Sequence, residues 1–226
     1  GEEGRMISGL DDSIVTISHS GSAVAEQYRI LCARVDRLSR ERGYKTIALT
    51  SSVKGEGKTL TSVNLAFSMA KDLGKHVLLV EADFRNTSLT RLINRPKSKG
   101  FLDVLSNGTG IESVKQPYLN DRLGIVTAGK VTPEALKLFS SEKTKEIIQE
   151  ARKDYDYIFF DLPPILATAD ANIITEWVDG VIMVVRAGKT PRDIVKKAFA
   201  GSTKVIGVVL NDVKAFSSYY YYYNTE

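Results

Sequence analysis

The sequence predicts an α/β fold, a doubly wound and mostly parallel sheet, and three observations carry that prediction. Runs such as "KTIALTSS", "HVLLVEAD", "YIFFDLPP" and "VIMVVRAG" are apolar almost without interruption, as strands covered on both faces must be. Stretches with helical spacing stand between them. From Lys45, a strand, a glycine-bearing loop, a helix and a second strand follow within about 40 residues, a βαβ unit whose crossover makes the two strands parallel. With 226 residues, 43% of them apolar, one core is affordable, and no Pro-, Gly- or Ser-rich linker divides it.

The elements follow in order. Residues 1–21 are rich in Gly, Ser and Asp and read as an N-terminal arm, with "SIVTIS" as a short edge strand. From Ala23 to about Arg40, Tyr28, Leu31, Val35 and Leu38 recur at spacings of three and four and line one face of a helix. The first core strand, "KTIALTSS", runs into a loop, and "TLTSVNLAFSMAKDLG" is a helix closed by a C-terminal glycine, Gly74. Further strands are "HVLLVEAD", "RLGIVTAG", "YIFFDLPP", "VIMVVRAG" and "VIGVVLND", for a sheet of six or seven. Helices over residues 142–153 and 191–200 join some of them. The core domain spans 22–214, and 215–226 form a tail.

Composition narrows the classes. Lysine and arginine exceed aspartate and glutamate by 31 to 27, a net charge of +4. That excess is too small to indicate a nucleic-acid partner and suits a phosphate-bearing ligand or an anionic membrane face. A single cysteine, Cys32, excludes an internal disulfide, as expected of a reducing compartment, and His19 and His76 are too few for a histidine metal cluster. No apolar run approaches the ~20 residues of a membrane span. The sequence opens on Gly1 rather than Met, so a fragment trimmed from a membrane protein is an open expectation.

Chemistry concentrates in "SSVKGEGKT", between the first core strand and its helix. A triphosphate needs amide donors converging on its oxygens, and Gly55 and Gly57 let the backbone curl close enough to supply them. The helix that follows turns its N-terminal amides and its dipole toward the same anion. Lys58 is placed to reach the β and γ oxygens and the Thr59 hydroxyl to meet Mg²⁺, so the stretch reads as a P-loop for ATP with Ser52 in place of its first glycine. Val53, Lys54, Gly55, Glu56, Gly57, Lys58, Thr59 and Leu60 make up the nucleotide-binding segment. Asp161, at the carboxyl end of "YIFFD", is the carboxylate expected to face the metal. "VLLVEADFR" ends its strand on Glu81, Asp83 and Arg85, two acids and a base that can complete a Mg²⁺ shell or take a proton from a hydroxyl.

These motifs, in this order and followed by the tyrosines of "SSYYYYYNTE", resemble the cytoplasmic catalytic domain of bacterial tyrosine kinases, the autokinases of capsule and exopolysaccharide export. The resemblance runs from "AEQYR" to the tail. It implies a P-loop NTPase fold of the Walker A, A′ and B type, shared with ParA and MinD. It makes Glu81, where the family has aspartate, the base on the tyrosine hydroxyl, sets Asp83 near the metal with Thr59 and Asp161, and leaves Arg85 to stabilise a phosphate. Glu26 and Arg29 match a pattern through which subunits form a ring, while Cys32 stands where that pattern ends in arginine. Asn211 is expected at the adenine by analogy with the wider group.

Five of the ten tyrosines, Tyr219, Tyr220, Tyr221, Tyr222 and Tyr223, stand in one run that no core can hold. The resemblance makes them phosphoacceptors, and ten extended residues from Asp212 reach roughly 30 Å, which favours delivery to a neighbouring subunit. The implied partners are further copies of the chain and a membrane-bound activator of the polysaccharide co-polymerase type, at the cytoplasmic face of the membrane, with no nucleic acid. The competing readings are a ParA- or MinD-like ATPase switch and a catalytically weak nucleotide-binding scaffold. Val53 speaks against the switch, because that group carries a lysine five positions before its P-loop lysine.

Overall fold

The computed structural model describes residues 7, 9–95, 99–201 and 204–213. Its strands, in chain order, are β1 Thr46–Ser51, β2 Val77–Glu81, β3 Gln116–Tyr118, β4 Leu123–Val126, β5 Tyr157–Asp161, β6 Gly180–Arg186 and β7 Val205–Asn211. They form one sheet in the order β3-β4-β2-β5-β1-β6-β7, every pairing parallel except that of β3 with β4. The helices are α1 Val15–Ser18, α2 Ala23–Arg42, α3 Lys58–Asp72, α4 Ser88–Leu92, α5 Phe101–Asn107, α6 Ala135–Phe139, α7 Glu142–Ala151, α8 Ala169–Trp177 and α9 Arg192–Ala200.

Side chains alternate across a strand, and here both sets are buried. Ile47, Leu49, Val77, Leu79 and Phe159 enter one core with α2 and α3, whereas Ala48, Leu78, Val80, Ile158 and Phe160 enter a second core on the opposite face. That double burial is why the central strands carry no polar alternation. It also places the carboxyl ends of β1, β2 and β5 side by side, with Leu49 and Glu81 both in register with Asp161.

The N-terminal segment departs from expectation. "SIVTIS" is no edge strand: Val15–Ser18 turns as a helix, with the Ser18 amide donating to Ile14 and the His19 amide to Val15. The reason is a docking site on α3. The Thr16 amide and hydroxyl both donate to Asn64 Oδ1 at 3.1 Å, and Asn64 Nδ2 donates to the Ser13 carbonyl. Ile14 is fully buried in the core beneath α2, so this part of the predicted arm belongs to the packed domain.

Helix α2 begins at Ser22, whose hydroxyl caps the Ala25 amide, and ends on Gly43 in the left-handed conformation. Its buried stripe runs through Ala25, Cys32, Val35, Asp36 and Ser39. Tyr28, Leu31 and Leu38, expected at its centre, sit half-buried on its flank. Helix α3 ends as predicted, with Gly74 left-handed just beyond it.

Candidate functional site

The loop between β1 and α3 is shaped by two glycines in the left-handed region, Gly55 at φ +85° and Gly57 at φ +87°. Space around Gly55 is open, while Gly57 lies against Asn211, where an added Cβ would stand 2.0 Å from Nδ2. Gly57 is the N-cap of α3 and offers no side-chain cap, which leaves the first amides of a fifteen-residue helix directed at the loop.

Lys58 opens that helix and is 7% exposed. Its Nζ lies 2.9 Å from Asp83 Oδ2 and 3.5 Å from Asp161 Oδ1. The Thr59 hydroxyl donates to Asp161 Oδ2 at 2.8 Å. Asp83 also accepts from the Asn86 amide, at 3.1 Å. Three motifs far apart in sequence therefore meet at one point on the carboxyl edge of the sheet, where ligands of open α/β folds bind. Burial would discharge Lys58, but the Asp161 and Asp83 carboxylates outweigh it and hold its ammonium above the ordinary value. Burial raises Asp161 against the pull of Lys58 and Thr59.

Lys58, Thr59 and Asp83 line a cavity of about 650 Å³, and Asp161, fully buried, stands behind them. Lys54, Lys58, Arg85 and Arg91 line it against the carboxylates of Asp11 and Asp83, a balance that suits a polyanion. Its apolar wall includes Leu60, Leu92, Pro163 and Pro164. A hydroxyl and two carboxylates form an all-oxygen donor set of the kind Mg²⁺ accepts, so Thr59, Asp83 and Asp161 fit the ion they are expected to hold.

Not every expected residue faces this cavity. Glu81 is fully buried, and its carboxylate accepts from the Thr90 hydroxyl at 2.8 Å, the Thr90 amide at 3.2 Å and the Ala128 amide at 3.0 Å. It thus fastens α4 and the end of β4 to β2 and does not line the cavity. Burial raises its carboxyl above the ordinary glutamate value, although Ala128 and Thr90 pull the other way. Residue 81 shares the face of Val77 and Leu79, which is roofed by helices. Glu56 and Val53 also look away from the cavity. Asn211 donates to the Glu56 carbonyl at 3.0 Å, on the back of the P-loop.

Cys32 is fully buried, its thiol against the Leu65 carbonyl and pushed up to about 12 chiefly by burial. Glu26 and Arg29 pair with each other on the exposed side of α2, Nε to Oε2 at 2.7 Å, and Arg29 also donates to the Ser20 carbonyl. Tyr219, Tyr220, Tyr221, Tyr222 and Tyr223 lie outside the described residues. The sequence reading missed Asp11, Arg91 and Leu92. The last two stand on a five-residue helix, too short for any period to show.

Sheet order, glycine loop and clustered lysine and carboxylates define a P-loop nucleotide-binding protein, and residues 44–196 match the family model described as AAA domain. The same architecture occurs in the septum site-determining protein MinD complexed with Mg-ADP from Pyrococcus horikoshii, with a TM-score of 0.58 over 74% of this chain and 69% of that one at 23% identity. Within that class the chain belongs to the bacterial tyrosine-protein kinases of capsule and exopolysaccharide synthesis. It is 33% identical to the tyrosine-protein kinase YwqD of Bacillus subtilis over 222 residues, covering 96% of this chain and 93% of the relative. It also superposes on the chimerical protein CapA2B2 with a TM-score of 0.81, over 89% of this chain and 91% of that one, at 23% identity.

Proposed function

We propose that this tyrosine-protein kinase transfers the γ-phosphoryl group of ATP to its own tyrosine cluster, Tyr219 to Tyr223, between subunits of a homo-oligomer. The observation that supports this reading is the meeting of Lys58, Thr59 and Asp83 on a cavity lined also by Lys54, Arg85 and Arg91, with Asp161 bonded to Lys58 and Thr59 from behind.

Each residue has a task in this scheme. The P-loop amides and Lys58 bind the phosphates and neutralise charge that spreads over the transferring group. Thr59, Asp83 and Asp161 would hold Mg²⁺, which would supply charge neutralisation to the phosphates. Asp83 is the Walker A′ carboxylate on the cavity wall beside the metal position, and Glu81 fastens the elements around it. Arg85 and Arg91 stand at the rim, where phosphate oxygens or a phosphorylated tail would meet them. Leu92, Pro163 and Pro164 offer an apolar wall to a tyrosine ring.

Transfer in trans follows from tether length, since a short tail reaches a neighbour's cavity with fewer orientational constraints than its own. Glu26 and Arg29 are the interface candidates of that oligomer, and each phosphate adds about −1.5 to −2 charge, so phosphorylated tails of adjacent subunits repel and the ring loosens. The activator is a membrane-bound protein of the CapA kind, which places the kinase at the cytoplasmic face of the membrane. The chimerical protein CapA2B2, on which this chain superposes, supports such a pairing.

Mass spectrometry after incubation with Mg-ATP tests the reading. Phosphate is expected on residues 219–223 of the wild type and none on Lys58→Met or Asp83→Asn. Mixing Lys58→Met with an active copy whose tail is removed restores phosphate to the Lys58→Met tail. A wild-type tail that stays unmodified in active protein overturns the proposal.

A further inference from the structure

Glu56 lies inside the phosphate loop and is 2% exposed. Its side chain turns to the rear. Oε2 accepts from the Val53 amide at 3.0 Å, within the same loop. Oε1 accepts from the Arg186 amide at 3.2 Å, at the carboxyl end of β6, and from the Thr190 hydroxyl just beyond. The Glu56 carbonyl takes the Asn211 amide from the end of β7, and the Ala187 amide donates to the Asn211 carbonyl. One residue thus ties the P-loop to the ends of β6 and β7, the two strands that follow β1 toward that edge of the sheet.

We propose that Glu56 is a positioning residue that latches the P-loop to the β6–β7 edge and holds it in the shape that receives nucleotide phosphates. The inference rests on the reading of that loop as the nucleotide site. Two physical arguments support it. First, glycines that let the loop curl also leave it free to collapse, so its open shape needs an outside tether. Second, a buried carboxylate with three donors is a fixed strut, because each broken contact would leave a buried polar group unpaired. The latch also borders the root of the tyrosine tail: the Arg186 guanidinium pairs with Asp212 at 2.9 Å, the residue that follows β7. Loop and residue 212 therefore meet at one corner of the sheet.

Substitutions separate the ties. In Glu56→Gln the amide oxygen keeps Arg186 and Thr190, while its NH₂ meets the Val53 amide donor to donor, so the tie to the loop is the one cut. Thr190→Val removes one donor from the far end, and Thr190→Ser restores it. Calorimetric titration of the full chain with ADP is expected to show binding about tenfold weaker in Glu56→Gln, the scale of one lost charge-assisted hydrogen bond. Thr190→Val binds a few-fold weaker and Thr190→Ser as the wild type. The loss falls in KM for ATP rather than in kcat, and hydrogen exchange quickens at the Val53 amide while that of Arg186 stays protected. A protein softened only in general would lose protection at both amides and would not be rescued by serine.

Lys58→Met serves as the reference. If it binds ADP as the wild type does, the nucleotide-site reading itself fails. If it loses binding while Glu56→Gln and Thr190→Val stay within twofold of the wild type, the site stands and the latch is refuted. Should Glu56→Gln fold poorly, the Thr190 pair alone decides: equal affinities for valine, serine and wild type overturn the proposal.

Discussion

At the scale of single residues, the two P-loop glycines look alike in sequence and differ in what surrounds them. Both adopt a left-handed φ that costs an L-residue about 1–2 kcal/mol. Gly55 has nothing within 4 Å of an added Cβ, whereas at Gly57 that carbon would meet Asn211 Nδ2 at 2.0 Å and Asn211 Cγ at 3.1 Å. Asn211 can swing aside only by giving up its bond to the Glu56 carbonyl. Gly55→Ala should therefore lower unfolding free energy by about 1–2 kcal/mol through φ alone, and Gly57→Ala by about 1 kcal/mol more for the lost hydrogen bond. Urea denaturation without nucleotide measures both. Equal losses would mean that Asn211 is not seated on the loop.

At the scale of elements, the short helix α1 and its docking on α3 are the least expected feature. A four-residue helix has no stability of its own, so what fixes α1 is its contact with Asn64 and the burial of Ile14. The Asp11 amide donates to the Leu92 carbonyl at 2.9 Å, and Asp11 lines the cavity, so this segment joins α3, α4 and the site. Asn64→Ala leaves the amide and hydroxyl of Thr16, a buried residue, without their acceptor, at a cost of about 1–3 kcal/mol. The expected outcome is a lower denaturation midpoint together with protease cleavage between residues 9 and 18 at concentrations that spare the wild type. Intact protein under those conditions would show that Ile14 alone holds the segment. The docking was illegible in the sequence because Asn64 sits on a helix that is buried along most of its length, where an asparagine gives no sign of its partner.

At the scale of the whole molecule, what could be read in advance follows from how local its cause is. The central strands are covered on both faces, so their apolar runs announce them, and the phosphate loop is contiguous, so Gly55, Gly57, Lys58 and Thr59 show their chemistry together. Strand β3 has three residues, one of them Pro117, and no period. The placing of Glu81, Asp11 and Arg91 depends on packing between distant elements. The same packing shifts two pairs of carboxylates in opposite directions, which bears on the response to pH. Burial opposes ionisation of Asp36, but Tyr157, Lys75 and Arg40 together hold it below the ordinary aspartate value of 3.8. Asp179 behaves alike, with burial outweighed by the Thr46 and Lys45 amides and Arg152. Such groups stabilise the fold fully above pH 3.8, and that stability is lost as pH falls through their lower folded values. Glu81 has the opposite sign, since burial raises it above the ordinary 4.5, and Asp161 is raised from 3.8 for the same reason. Their contribution is fully present below those ordinary values and is lost as pH rises through the higher folded ones. Unfolding free energy of the nucleotide-free chain should therefore increase as pH drops from 7 toward the ordinary carboxylate range and decline below 3.8. Glu81→Gln flattens the neutral limb and Asp36→Asn the acid limb. Urea titrations across that range check this: a wild-type curve that climbs steadily to neutral pH, with Glu81→Gln running parallel, would mean that Glu81 is not held in its dry pocket between Thr90 and Ala128.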